Sequence, residues 1–99
     1  MLNIKALFNR GYKLEQAGVI DFKLVKDDKT IIDFDIEQES TETTLENVYE
    51  FLLRELNYHI REIEEESKDY FYDEMSEEEI NYIKTSFYRE LLDIRDWLV

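Results

Sequence analysis

One α+β domain spanning residues 1–99, built from an N-terminal helix, an antiparallel β-hairpin and two antiparallel helices, is the fold that this sequence predicts. Three observations predict it. Apolar residues recur every three or four positions at the start, alternate over Ile20–Leu24 and again over Ile32–Ile36, and return to helical spacing from Leu45 to Leu98. A chain of 99 residues supplies one modest core and no second.

Ile4, Leu7, Phe8, Gly11 and Tyr12 fall at i, i+3, i+4, i+7 and i+8, so a first helix is predicted from Asn3 to Ala17, with Gly18 as its C-terminal cap. Gly11 costs a helix roughly 1 kcal/mol relative to Ala. Its place on the stripe implies a closely packed neighbour, and a helix break at Gly11 is the alternative.

Ile20, Phe22 and Leu24 alternate, as do Ile32, Phe34 and Ile36 after the polar stretch KDDK. Matching the apolar faces pairs Ile20 with Ile36, Phe22 with Phe34 and Leu24 with Ile32 around a short loop centred on Asp28. The outward pairs become Asp21 with Asp35, Lys23 with Asp33, and Val25 with Ile31. Opposed aspartates destabilise a sheet, so the alternative to the first pair is a register shifted by one bulge. Two strands make a marginal sheet, and there is room for a third short strand within Glu37–Thr44.

Thr43 and Glu46 form a capping box, and Leu45, Val48, Leu52, Leu56, His59, Ile60 and Ile63 run down a second helix to about Ser67. Ser76 and Glu79 form another, with Met75 set to staple on Ile80, so the last helix is predicted to begin at Glu77. Its stripe is Ile80, Ile83, Phe87, Leu91, Ile94 and Leu98.

Twenty-five acids against twelve bases give a formal charge of −13, which opposes direct binding to nucleic acid or anionic lipid and favours encounter with a basic partner. The absence of Pro, two Gly and a 14% aromatic content are the reverse of a disordered composition. With no Cys the chain has no disulfide framework, no thiol nucleophile and no soft-ligand zinc cluster. No stretch has the length of a signal sequence core or a membrane span, so a cytoplasmic location is expected.

The usual catalytic patterns are absent: no glycine-rich phosphate loop, no nucleophile elbow, no paired histidines on a helix. His59, the single histidine, is read as a partly buried residue at the edge of the second helix. The acids from Asp69 to Glu79 lack the glycine and the alternating oxygen ligands of a calcium loop. The protein is expected not to be an enzyme and to hold no metal or cofactor.

Between Glu62 and Glu79 the chain carries ten acids and one base, which is nine of its thirteen net negative charges. Glu77, Glu78 and Glu79 suit the positive end of a helix dipole. Glu62, Glu65, Glu66 and Asp69 do not, because like charges three or four apart on a helix repel by a few tenths of a kcal/mol per pair. Carboxylates roughly 5 to 6 Å apart on a helix match phosphate spacing in scale. Tyr70, Phe71 and Tyr72 sit inside the block, with Phe71 expected in the core and the two tyrosines nearer the surface as anchors for an arginine-rich partner. The candidate binding face comprises Glu62, Glu64, Glu65, Glu66, Asp69, Tyr70, Tyr72, Asp73, Glu74, Glu77 and Glu78.

The order of a short helix, antiparallel strands and helices joined by the acidic, aromatic segment EEESKDYFYDEMSEEE resembles the small acidic phage anti-CRISPR proteins, in particular type II-A inhibitors that mimic DNA. The likeness spans most of the chain loosely, and only DYFYDEM shares local wording with the family. The resemblance implies carboxylates placed in the cleft of the RNA-guided nuclease that reads the short flanking DNA motif, where arginines otherwise grip guanines. It implies Glu64, Glu65, Asp69, Tyr70, Tyr72, Asp73 and Glu74 as contacts. The competing reading is an acidic interaction module or homodimeric adaptor, joined through apolar residues such as Val25, Ile31 and Trp97.

Overall fold

The structure, a computed structural model, describes residues 2–36 and 44–99. Its elements are α1 (Ile4–Asn9), β1 (Lys13–Gln16), β2 (Asp21–Lys26), β3 (Lys29–Asp35), α2 (Leu45–Glu64), α3 (Glu77–Tyr82), a π-helical turn (Ile83–Phe87) and α4 (Tyr88–Leu98). The α+β class holds, but residues 10–17 depart from the expected helix.

Asn3 caps α1 by accepting from the Ala6 N–H, and the helix closes as Arg10 and Gly11 donate back to the carbonyls of Leu7 and Phe8. Gly11 then adopts φ +88°, a left-handed conformation that reverses the chain. A Cβ there would meet only Lys26 Cε at 3.9 Å, so the backbone angle and not a packed neighbour reserves the position for glycine. The chain beyond it forms an edge strand. Leu7 and Tyr12 still reach the core, whereas Phe8, on the same apparent helical stripe, is 69% exposed.

The sheet has the order β1-β2-β3, both pairs antiparallel. Gly18 lies in the β1–β2 turn, where the Ala17 and Gly18 N–H groups donate to the Asp21 carbonyl, and caps no helix. The third strand thus lies at Lys13–Gln16; residues 37–43, most of the segment expected to supply it, lie outside the described residues.

β2 and β3 pair Phe22 with Phe34, Leu24 with Ile32, Asp21 with Asp35 and Lys23 with Asp33, and the Ile36 N–H donates to the Ile20 carbonyl. The register then shifts after Leu24, so Val25 faces Thr30 instead of Ile31. The bulge leaves Ile31 room to pack against the core, and Val25 is buried as well. Asp27 and Asp28 form the turn with φ +52° and +62°, the two positive angles of a two-residue hairpin loop.

Thr44, not Thr43, caps α2: its hydroxyl accepts from the Asn47 N–H at 3.2 Å. Thr43 lies outside the described residues. At the other end the Ser67 N–H reaches the Glu62 carbonyl and the Glu66 N–H reaches that of Ile63, with Glu66 left-handed at φ +51°. This is a Schellman closure, and it stops the helix at Glu64, three residues before Ser67. Ser76 caps α3 by accepting from the Glu79 N–H, so the last helix starts at Glu77 as predicted and continues through the π-helical turn to Leu98.

Asn57 meets Arg95, Glu64 meets Tyr88 and Glu66 meets Lys84, an opposed numbering that makes α2 and α4 antiparallel. The core joins Leu24, Ile32, Phe34 and Ile36 of the hairpin segment to Val48, Tyr49, Leu52, Leu56, Ile60 and Ile63 of α2 and to Leu91, Ile94 and Leu98 of α4. Leu45, on the expected α2 stripe, is 63% exposed. The N-terminus is pinned by Asn3 N–H donating to the Leu98 carbonyl at 2.7 Å and by Trp97, whose ring lies 6.1 Å from that of Tyr12 and carries the Arg10 guanidinium 4.5 Å above it. Among the described residues no helix is long and apolar enough to cross a membrane.

Candidate functional site

The acidic block splits into a helix end, a turn and a helix start. Glu62, Glu64, Glu65 and Glu66 close α2; Asp69, Tyr70, Tyr72, Asp73 and Glu74 lie on the connecting turn; Glu77 and Glu78 open α3. Ser67 organises the turn, its hydroxyl accepting from the Asp69 N–H and its carbonyl accepting from the N–H groups of Tyr70 and Phe71. That geometry sends Tyr70 and Phe71 inward together and leaves Tyr72 exposed. Tyr70 was expected at the surface. It packs instead edge-on against His59, ring centroids 5.5 Å apart, and burial pushes its hydroxyl up to about 12.

Only part of the block keeps its charge free of partners. Glu66 pairs with Lys84, which holds its carboxyl below the usual range. Glu64 accepts a hydrogen bond from the Tyr88 hydroxyl at 2.6 Å. Glu65, Asp73, Glu74, Glu77 and Glu78 are exposed, and among the described residues none of their side chains has a hydrogen-bond or ion-pair partner. Glu62 and Asp69 converge elsewhere, on the exposed Tyr58 of α2, whose hydroxyl is pushed up first by the Glu62 charge and then by burial and Asp69.

The acidic surface continues beyond the block. Asp33 and Asp35 of β3 lie near Glu55 of α2, where burial first, and then those two charges, raises the Glu55 carboxyl. Asp35 faces Asp21 across the strands, and their side-chain hydrogen bond raises Asp35 in turn. Asp33 and Glu62 both act on His59, so the hairpin acids and the block share one electrostatic neighbourhood. Sequence spacing marked Asp21 and Asp35 as an unfavourable pair but gave no sign of Glu55 and Tyr58, because the packing of β3 on α2 is what brings them together.

His59 sits at this junction half-buried, as expected. Its Nε2 is 4.0 Å from Glu55 Oε1, its Nδ1 is buried without a partner among the described residues, and burial lowers its proton affinity despite Asp33 and Glu62. The imidazole packs edge-on between the rings of Tyr58 and Tyr70. Among the described residues no group of three or more acids and histidines is arranged to hold a metal ion.

Of the apolar residues named for a dimer, Val25 is buried, and Ile31 and Trp97 are half-buried against the core. The chain matches no protein-family model, no curated protein and no solved structure.

Proposed function

We propose that this protein inhibits a nucleic-acid enzyme by occupying its basic cleft with carboxylates in place of phosphates. The resemblance adds the finer identity: the cleft is that of a type II RNA-guided nuclease in the cytoplasm, and the effect is to block binding of target DNA. The protein acts by occupancy and performs no reaction.

One observation carries the reading. The described residues carry twenty-two acids yet only three ion pairs among themselves, and one of those involves a histidine that burial keeps neutral. A surface selected for stability alone would interleave bases with its acids; here the charge is left open for an external cation. The chain order of short helix, antiparallel sheet and paired helices with an acidic, aromatic connection also supports it.

The test is cleavage by a type II RNA-guided nuclease in the presence of increasing amounts of this protein and of a variant with Glu65, Asp69, Asp73 and Glu74 changed to Lys. Expected is inhibition by the parent that falls steeply with salt, competes with target DNA and is lost in the variant. Inhibition unaffected by added DNA or retained in the variant refutes mimicry by this face.

A further inference from the structure

The groove between β3 and α2 lies outside the acidic block. Phe34, Asp35, Phe51, Arg54, Glu55 and Tyr58 line it, and its volume is about 240 Å³. That is below the roughly 300–1,000 Å³ of pockets for drug-sized ligands and is on the scale of a single side chain. Its walls are aromatic, with Tyr58 exposed and Phe51 half-buried, and two carboxylates stand among them.

We propose that this groove receives an arginine side chain of the basic partner. The inference rests on the reading above that the partner is basic, and adds where on this chain one guanidinium is held.

Charge and shape both select that occupant. Glu55 is half-buried, and among the described residues its one ionic contact is the 4.0 Å approach to His59, which burial keeps neutral. No ion pair among the described residues engages Asp35 either. The groove therefore holds two carboxylates against the single cation, Arg54, that lines it, beside flat aromatic surfaces, and a planar cation fits both where the compact ammonium of lysine fits only the first. The chain itself supplies the precedent: the Arg54 guanidinium carbon lies 5.1 Å from the centre of the Phe51 ring, yet Arg54 forms no ion pair among the described residues. An incoming arginine takes the place of Arg54 on that ring and gains the carboxylates that Arg54 does not reach. Arg54 is thus a competitor for the site.

The competition gives the two charges on the groove opposite roles. The ¹⁵N-labelled protein is titrated with the capped tripeptide Gly-Arg-Gly and with its lysine and citrulline counterparts, while amide shifts are followed. Expected are saturating shifts at Phe34–Asp35 and Phe51–Tyr58 with the arginine peptide, weaker ones with lysine and none with neutral citrulline. Glu55→Gln and the surface substitution Asp35→Asn each weaken binding roughly threefold to fivefold, the range for a partly exposed charge pair. Arg54→Ala tightens it. Shifts confined to residues 62–79, equal response to citrulline, or weaker binding by Arg54→Ala overturn the proposal. Nuclease inhibition is scored separately: groove binding without inhibition removes the proposed function and keeps the groove, and inhibition without groove binding does the reverse.

Discussion

At the scale of single residues, the backbone angles and the carboxylates answer to different constraints. Gly11 is the one glycine with a positive φ, and its conformation converts a helical stripe into a helix followed by a strand. Asp27, Asp28 and Glu66 adopt positive φ without being glycine, which places mild strain at the hairpin turn and at the end of α2. Among the carboxylates, Glu55 carries a consequence for pH. The folded chain holds its proton more tightly than the unfolded chain does, so its contribution is favourable below the ordinary carboxylate range and is lost as pH rises through the raised value. Asp35 acts in the same sense, while Glu66, held down by Lys84, contributes above that range and loses its contribution as pH falls. Glu55→Gln is fixed in the neutral form. It is expected to be more stable than the parent at neutral pH by no more than about 1 kcal/mol, since solvent screens much of the effect, with the gain vanishing by about pH 3. Urea unfolding at both pH values measures it, and equal stability at neutral pH contradicts the raised affinity.

At the scale of elements, legibility followed the strength of the local signal. The hairpin register from Phe22–Phe34 to Leu24–Ile32 was readable because a slip of one residue would turn every apolar side chain to solvent. The start of α3 was readable because Ser76 and Glu79 stand three apart ahead of an apolar stripe. β1 was not, because Ile4, Leu7, Phe8, Gly11 and Tyr12 together keep a helical spacing, and only the angle at Gly11 separates the two outcomes. The bulge at Ile31 was equally hidden, since a strict alternation reads the same until the partner strand slips. Ser76→Ala is expected to lower stability by about 1 kcal/mol, the usual worth of such a cap, and Ser76→Asp to restore most of it. Chemical denaturation distinguishes them; a neutral Ser76→Ala would mean that the cap adds nothing to a helix already held by α2.

At the scale of the whole molecule, the composition announced an acidic surface, while its assembly became visible only in three dimensions. The block from Glu62 to Glu78 was legible as a run of charge; that Asp33, Asp35, Glu55 and Tyr58 extend it across the sheet depends on how β3 lies on α2. With a net charge of −13 and few ion pairs among the described residues, the fold works against its own repulsion, and added salt relieves it. The melting temperature at neutral pH is expected to rise between low salt and about 0.5 M sodium chloride, by roughly 4–8 °C if the relief is about 1 kcal/mol. A melting temperature indifferent to salt would show the charges to be compensated after all. The pinning of the N-terminus on Trp97 has an optical consequence. The single indole joins α4 to the turn between α1 and β1 and stands about 20 Å along the helix from Lys84, taking 1.5 Å per residue. Its emission therefore reports the packing of Asn3–Tyr12 on the end of α4, and in a test of the proposed docking at the acidic face it serves as an internal fluorescent standard.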